Sequence, residues 1–339
     1  MSANSTISAT VFAAYLRCPT KAYLLARGEK PPGSFFTDTL GRISSAYKAT
    51  ACERLGAGVA GFASISRPPL PTAPASDRAV AFVDCETASY ALDIPTRARS
   101  DCRTRKGEPG PDYVPVLFSA WDQSDQFDSL LICFGAVAVQ QVTDRKIPSV
   151  GKIIYGENQS IRTIKIADYL SKTRQIIEAI TSLGIDGEPA LVLNKHCRTC
   201  DFQTRCHRLA VEQENLTLLG AMTTKERMKC SEKGISTITQ LSYGYRPRRR
   251  RLKQNAPPRM LPARHDHKLK ALAIKKAQTH VIGSPSLSIQ GTPVFMDVKG
   301  MPDRSFYYLI GLRYDLHGTP VERSFWAEKR DDEANIWQE

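Results

Sequence analysis

The tightest constraint on how this chain folds is a run of three cysteines, Cys197, Cys200 and Cys206, in the pattern C-x2-C-x5-C. The N-terminus lacks the basic and apolar regions of a secretion signal, so we expect thiols rather than a disulfide framework. Three thiolates so close in sequence converge on one soft metal centre, because sulfur ligands favour zinc or iron. The run therefore predicts a metal site.

A closed metal site usually needs a fourth ligand, and the candidates are His196, His207, Cys230 and Cys18. His196 and His207 adjoin the first and last cysteines of the run, and immediate neighbours are poorly placed to bind the same ion. Spacing alone leaves zinc and iron both open. A zinc-stabilised interaction protein is one interpretation of this set.

Positive charge is concentrated in residues 244–280, which we call the basic segment. It contains 12 of the 47 lysines and arginines and one of the 34 acidic residues, so it carries +11 of the formal net charge of +13. Such a segment favours a polyanionic partner, and we predict nucleic acid, with DNA preferred over RNA. A solvated linker or a contact with RNA is the alternative interpretation, because charge alone does not name the nucleic acid. The predicted nucleic-acid contacts in RPRRRRLK are Arg246, Arg248, Arg249, Arg250, Arg251 and Lys253.

Gly234 lies in a stretch, residues 216–242, whose pattern predicts short helices. KCSEKGISTITQLS is similar to one half of a helix-hairpin-helix element, in which backbone N–H groups approach a DNA phosphate. Gly234 is therefore a predicted nucleic-acid contact. The other interpretation is that this glycine ends the preceding helix.

Apolar periodicity elsewhere predicts a mixed α/β protein. The predicted helices are a pair within residues 7–28 that turns at Cys18, and helices at 130–142, 168–182 and 267–278, with another beginning near 331. Strand-like patterns include DYVPVLFSAW, the pair KIIYG and RTIKIA, and three C-terminal runs. The longest apolar run, Leu130 to Val139, is too short to span a bilayer. We therefore expect a cytoplasmic protein without a membrane partner.

LRCPTKAYL near the start, followed by the three cysteines, resembles the iron-sulfur nucleases of the RecB-like PD-(D/E)XK group. The resemblance implies a restriction-endonuclease-like α/β fold and a [4Fe-4S] cluster. Matched residue by residue, the implied cluster ligands are Cys18, Cys197, Cys200 and Cys206.

A PD-(D/E)XK centre needs an acid at one strand end and an acid-x-Lys on the next strand, so that carboxylates hold Mg2+. Asp93 lies where the first acid is expected. The next strand has Val-Pro-Val at residues 114–116 and offers neither an acid nor a lysine. Asp84 and Glu86 are close enough in sequence to join a metal site, and the alternative interpretation of all three acids is solvated charges at strand ends. The resemblance therefore implies a nuclease-like fold whose catalytic centre is degraded.

TPVFMDVKGMPDRSFYYLIGL resembles the opening of an RNase H-like domain, whose first strand reads F-x-D-x-E-G. The chain keeps Asp297 and has Lys299 in place of the glutamate, which removes a metal ligand and repels a cation. The implied order is a PD-(D/E)XK nuclease-like domain at 1–212, a helix-hairpin-helix-like segment at 213–244, a basic linker at 245–280 and the start of an RNase H-like domain at 281–339.

Two functional hypotheses follow. The first is a Mg2+-dependent nuclease acting on DNA, with a structural iron-sulfur cluster and with Asp93 and Asp297 as catalytic metal ligands. The second is a nucleic-acid-binding pseudonuclease, or a fragment of a split nuclease gene, because residues 114–116 and Lys299 replace the expected acids.

Overall fold

The chain is a mixed α/β protein that divides into two compact units, Met1–Ala190 and Leu191–Glu339. The domain boundary predicted at residues 212 and 213 lies further along the chain and stays a prediction. The computed structural model describes residues 6–33, 35–56, 62–63, 80–84, 89–91, 112–143, 146–246, 266–281, 290–301, 306–328 and 330–338.

The first unit combines helices with a mixed sheet. Its described helices are α1 (Ala9–Arg17), α2 (Pro19–Ala26), α3 (Phe35–Gly56), α4 (Gln126–Thr143) and α5 (Ala167–Asp186). Its described strands are β1 (Thr6–Ser8), β2 (Phe62–Ala63), β3 (Val80–Asp84), β4 (Ser89–Ala91), β5 (Asp112–Ser119), β6 (Val150–Tyr155) and β7 (Ser160–Lys165).

Cys18 separates α1 from α2. The side-chain oxygen of Ser8 accepts a hydrogen bond from Val11 N–H at 3.2 Å and caps α1. Cys18 then adopts an extended conformation, with φ −160° and ψ 113°. Pro19 begins α2, where the first residue needs no N–H partner. The predicted pair of helices with a turn at Cys18 is therefore confirmed.

The main sheet has the order β2-β3-β5-β6-β7, in which β2, β3, β5 and β6 are parallel and β7 is antiparallel to β6. Leu117 of β5 is buried in one apolar cluster with Ile132 of α4, and Val116 and Phe118 belong to another. On the other side of α4, Phe134 stacks on Phe12 of α1 with ring centroids 4.5 Å apart. The core therefore lies between the sheet and the helices.

The second unit contains a cluster of short helices and a small antiparallel sheet. Its described helices are α6 (Gln203–Glu212), α7 (Thr224–Ser231), α8 (Ile238–Tyr243), α9 (His267–Lys276) and α10 (Glu333–Ile336), with 3-10 turns at Lys195–Thr199, Leu216–Leu219 and Arg330–Asp332. Its described strands are β8 (Val294–Met301), β9 (Phe306–Leu316) and β10 (Thr319–Trp326).

Two separate apolar clusters organise the second unit. Leu216, Leu219, Ile238, Leu241 and Ala271 are buried together and join the 3-10 turn at 216–219 to α8 and α9. The sheet, with the order β10-β9-β8, has a smaller cluster of Ile310, Ala327 and Ile336. Small clusters of this kind stabilise through few contacts, so hydrogen-bonded caps matter in this unit.

Most predicted elements are present. The helices predicted at 130–142 and 168–182 correspond to α4 and α5, the strand pair to β6 and β7, and the three C-terminal runs to β8, β9 and β10. The sequence reasoning missed α3 and α6. No helix in the described part of the chain combines the length and apolar character needed to cross a bilayer.

Candidate functional site

The three clustered cysteines lie on one tight stretch at the start of the second unit. Cys197 is in the 3-10 turn at 195–199, Cys200 ends that turn, and Cys206 is buried in α6. Cys197 N–H donates to Asn194 O at 3.1 Å, and Cys206 N–H donates to Phe202 O at 3.0 Å. These backbone bonds determine the path between the three thiols.

The sulfur of Cys197 has a backbone donor. Asn194 N–H donates to Cys197 Sγ at 3.3 Å, and the Cys197 thiol donates to Asn194 Oδ1 at 3.6 Å; the first of these bonds also suits a thiolate ligand. The fourth implied ligand, Cys18, is buried in the first unit. Among the residues that the structure describes, no three His, Cys, Asp or Glu side chains are grouped so as to hold a metal ion. The donor chemistry therefore suits a soft metal, and the ligand set stays a prediction.

Gly234 ends α7. Its φ is +71°, which a residue with a side chain rarely adopts, and its N–H donates to Ser231 O at 2.9 Å. Ile235 N–H then donates to Cys230 O at 2.9 Å, which completes a helix C-terminus of the Schellman type. This geometry supports the interpretation of Gly234 as a helix end.

The N-terminus of α8 has its backbone donors occupied by the protein. Ser236 and Thr237 N–H donate to Gln240 Oε1 at 2.7 and 3.2 Å, and Gln240 N–H donates to Thr237 Oγ1 at 3.2 Å. Ile238 N–H donates to Glu214 O at 2.8 Å. The turn therefore offers a phosphate none of these four N–H groups.

Glu214 adds a negative charge at the same helix end. Its carboxylate accepts from Thr239 Oγ1 at 2.7 Å and from Thr239 N–H at 3.3 Å. The hydroxyl bond from Thr239 is the main cause that lowers the pKa of Glu214. A carboxylate at this position repels a phosphate, so the predicted contact at Gly234 gains no support from α8.

A cavity of about 670 Å3 lies between α7, α8 and α9. Met222 and Leu241 give it an apolar wall, whereas Glu226, Arg246 and Lys268 bring charge to it. Arg246 and Asp266, the described residues on either side of 247–265, both line this cavity. The two described residues that flank 247–265 therefore lie at the same cavity of the second unit.

Exposed cations and an exposed aromatic ring lie beside this cavity. Lys268, Lys275 and Lys276 of α9 are exposed. Tyr243 at the end of α8 is 67% exposed, and Lys275 Nζ lies 3.9 Å from the centroid of its ring. Arg246 Nη1 donates to Tyr243 O at 3.3 Å. We call these five residues the tyrosine-lysine surface.

The remaining predicted contacts in RPRRRRLK are residues 248–251 and 253, and they lie outside the described residues. Sequence reasoning counted the charge of the α9 lysines but did not single out Tyr243. The sequence does contain a signal for Tyr243, which is an aromatic residue next to a run of cationic residues.

His267 and Glu226 form a polar pair on the cavity. His267 Nε2 lies 3.5 Å from Glu226 Oε1. Thr223 N–H and Oγ1 donate to Glu226 Oε2, both at 2.8 Å, and these bonds, more than His267, lower the pKa of Glu226. Glu226 thus caps α7 and carries a negative charge next to the cavity.

The predicted nuclease acids of the first unit have no assembled centre among the described residues. Asp93 and Glu86 lie outside the described part of the chain, and Asp84 is the last residue of β3. Residues 114–116 lie on β5, where Val116 is fully buried opposite Asp84 in the register. Hydrolysis by this domain stays a prediction.

Asp122 and Tyr47 are a pair that sequence reasoning missed. Tyr47 is on α3, packed against a cluster that includes Val116 and Phe118, and its hydroxyl is buried with no hydrogen-bond partner. Burial, with a smaller contribution from the Asp122 carboxylate, raises the pKa of Tyr47 to about 12. The phenol of Tyr47 therefore stays neutral to a higher pH than that of an exposed tyrosine.

Asp297 pairs with the residue that replaces the expected glutamate. Lys299 Nζ lies 2.8 Å from Asp297 Oδ2, and the two side chains are 55% and 69% exposed. The hydrogen bond to Asp297 is the main cause that raises the pKa of Lys299. Lys299 therefore places a cation next to one oxygen of the Asp297 carboxylate.

Comparison of the chain with protein-family models, with curated proteins and with solved structures gives no match.

Proposed function

We propose that this chain is a nucleic-acid-binding protein that contacts its ligand through the tyrosine-lysine surface and the adjoining arginine-rich sequence. The observation that carries the proposal is the exposed ring of Tyr243 among cations, with Lys275 Nζ 3.9 Å from its centroid. Proteins that bind single strands combine aromatic platforms for the bases with cations for the phosphates. The arrangement therefore suits a single-stranded ligand best.

The distribution of charge supports the same proposal. Arg246 and Asp266, which flank the sequence at 247–265, line the cavity next to this surface, and that sequence contains most of the arginines of the basic segment. Lysines and arginines that neutralise phosphates release counterions, so each contact strengthens binding at low salt. We therefore assign phosphate binding to side chains and not to the backbone of α8.

The DNA nuclease implied by the resemblance is the second candidate function. The environment of Asp297 is the main observation against it. A cation 2.8 Å from the carboxylate competes with Mg2+ for it. The observation that favours retaining this candidate is Asp84 at the carboxyl end of a parallel strand, since ligands of α/β sheets bind at that edge. Mg2+-dependent cleavage that is lost in Asp93→Ala or Asp297→Ala would support it.

We also propose a [4Fe-4S] cluster on Cys18, Cys197, Cys200 and Cys206, and Mg2+ only for the nuclease candidate. The close spacing of the last three thiols and the N–H of Asn194 that donates to Cys197 Sγ support a soft metal on sulfur. The cluster is structural in this proposal, and nucleic-acid binding is assigned to other residues.

The binding proposal is tested with the full chain, a labelled single-stranded DNA, the matching duplex and the matching RNA, over a salt series. Lys268→Gln, Lys275→Gln and Lys276→Gln are combined in one variant. Three exposed lysines of the first unit, Lys146, Lys165 and Lys172, are changed to glutamine in the control, so both variants lose the same charge.

We expect the α9 variant to bind single strands about tenfold more weakly and to reduce the salt slope by about 0.7 for each lysine that contacts a phosphate. The control variant retains the affinity and slope of the parent chain. Equal losses in the two variants would show that binding follows net charge and would contradict the proposed surface.

A further inference from the structure

The strand β8 is an edge of the three-stranded sheet, and within the described residues no strand pairs with its outer side. Three consecutive apolar residues on it are exposed: Val294 by 56%, Phe295 by 69% and Met296 by 61%. An edge strand of this length presents unpaired backbone N–H and C=O groups, which native proteins either protect or use for pairing.

The backbone of β8 is regular enough to pair with a second strand on the side away from β9. The one irregularity in its ladder lies between the pairs Lys299 with Leu309 and Gly300 with Tyr307. Tyr308 is therefore the extra residue, and the bulge belongs to β9. Since β8 carries no extra residue, its outer side can form a continuous antiparallel ladder.

The charged residues of β8 lie on either side of Val298, so two antiparallel copies of the strand can place opposite charges next to one another. Asp297 and Lys299 are two residues apart and thus point to the same face of the sheet, where their side chains lie 2.8 Å apart. If the β8 strands of two copies pair antiparallel with Val298 on the two-fold axis, Asp297 of each copy lies opposite Lys299 of the other. Opposite charges in directly opposed positions stabilise such a pair.

Other registers are unfavourable. A shift by two residues in one direction places Asp297 opposite Asp297 of the second copy, and a shift in the other direction places Lys299 opposite Lys299. Like charges directly opposed destabilise a sheet. A shift by one residue joins opposite faces of the two sheets. Among these neighbouring registers the edge therefore favours one, in which Phe295 lies opposite Met301 and contributes apolar contact.

We propose that two copies of this chain associate through β8, in this register, to form a continuous six-stranded antiparallel sheet. The pairing is isologous, so one two-fold axis closes it. The charged pairs determine the register, and the exposed apolar residues and the backbone ladder provide the affinity. This association is independent of the proposed nucleic-acid binding, which uses other elements of the second unit.

Charge exchange tests the proposal on the full chain, with molar mass measured by light scattering and sedimentation over a micromolar concentration series. Asp297→Lys and Lys299→Asp each place like charges opposite one another, and we expect each to weaken the dimer by about tenfold or more. The double variant restores opposite charges and the dimer. An equimolar mixture of the two single variants forms mixed dimers, because one strand is then doubly positive and the other doubly negative.

Arg313→Glu is the matched control. Arg313 is on the central strand β9 and pairs with Glu322 at 3.6 Å, so this change also reverses an exposed charge but leaves the edge intact. It retains the dimer. A parent chain that stays monomeric throughout the series would overturn the proposal, and so would single variants that associate as well as the parent. Open-ended oligomers would also overturn it, because the pairing is closed.

Discussion

At the scale of single residues, Tyr243 tests whether the proposed nucleic-acid binding includes base stacking or depends on charge attraction alone. Its ring is 67% exposed and lies under Lys275. Stacking of a base on such a ring contributes about 1–3 kcal/mol. We predict that Tyr243→Leu weakens binding of single-stranded DNA by about tenfold, with a smaller effect on duplex, as measured by fluorescence anisotropy.

Tyr23 provides the control for this prediction. It is also a tyrosine beside a cation, since the guanidinium of Arg27 lies 5.5 Å from its ring centroid in the first unit. Tyr23→Leu removes the same chemical group from a different place and leaves binding unchanged. If Tyr243→Leu bound single strands as tightly as the parent chain, base stacking would have no part in recognition.

A second residue-scale prediction concerns Tyr47, whose pKa is raised to about 12 by burial and by Asp122. The phenol of Tyr47 ionises near pH 10 in the unfolded chain and at higher pH in the folded chain. The free energy of unfolding is therefore unaffected by this ionisation below pH 10 and falls as the pH rises towards 12. Tyr47→Phe removes this part of the decline. The midpoint of thermal unfolding between pH 9 and 12, compared for the two proteins, measures the difference.

At neutral pH, where the phenol is not ionised, the effect of this substitution depends on the buried hydroxyl alone. The hydroxyl of Tyr47 is buried without a hydrogen-bond partner, and an unsatisfied buried hydroxyl costs stability. Tyr47→Phe is therefore neutral or stabilising at pH 7. Marked destabilisation at pH 7, or an unchanged decline above pH 10, would contradict the assignment of this environment.

At the scale of secondary-structure elements, short helices in the second unit depend on their caps. The helix α8 has six residues, and Thr237 and Gln240 bond reciprocally at its start. Loss of such an N-cap costs about 1 kcal/mol. We predict that Thr237→Ala lowers the free energy of unfolding by about that amount in urea titrations, whereas Lys233→Ala, in the exposed turn before it, has little effect.

The affinity of Thr237→Ala for nucleic acid tests the role of the turn before α8. Because the N–H groups at the start of α8 are used within the protein, Thr237→Ala leaves the affinity for nucleic acid unchanged once the chain is folded. A loss of affinity at a temperature where the variant is fully folded would restore the helix-hairpin-helix interpretation of this turn.

The elements that the sequence predicted are those with clear local signals. Pro19 after Cys18 indicated the break between α1 and α2, and the apolar run at 130–139 indicated α4. The helix α6 was missed because most of its residues are polar or charged and its buried face consists of the small side chains of Cys206 and Ala210, so few large apolar residues indicate the stripe. The partner of Glu214, Thr239, is 25 residues away, and no local pattern encodes such a contact.

The candidate site was predictable to the same extent. Composition pointed to the basic segment, but the position of Tyr243 against Lys275 depends on how α8 packs on α9. The ion pair of Asp297 with Lys299 follows from their two-residue spacing on a strand, whereas the edge position of β8 depends on the order of strands in the sheet. Spacing within one element is encoded locally, and packing between elements is not.

At the scale of the whole molecule, the cysteine set makes a prediction about stability. If Cys18 shares a cluster with Cys197, Cys200 and Cys206, the metal closes a very long loop and removes conformational entropy from the unfolded chain. We predict that chain purified without oxygen is brown, with absorbance near 400 nm, and contains iron and acid-labile sulfide, since zinc thiolates are colourless. Removal of the metal lowers the unfolding temperature of the whole chain.

Single substitutions distinguish a four-cysteine cluster from a local zinc site. Cys18→Ser and Cys200→Ser each remove iron and colour if both are ligands, whereas Cys52→Ser, a cysteine outside the set, retains them. Colourless protein with one zinc that is retained in Cys18→Ser but lost in Cys200→Ser would instead indicate a site confined to residues near 197–206. In that case the loop closure at Cys18 does not exist, and metal removal destabilises only the structure around α6, because the first unit then supplies no ligand.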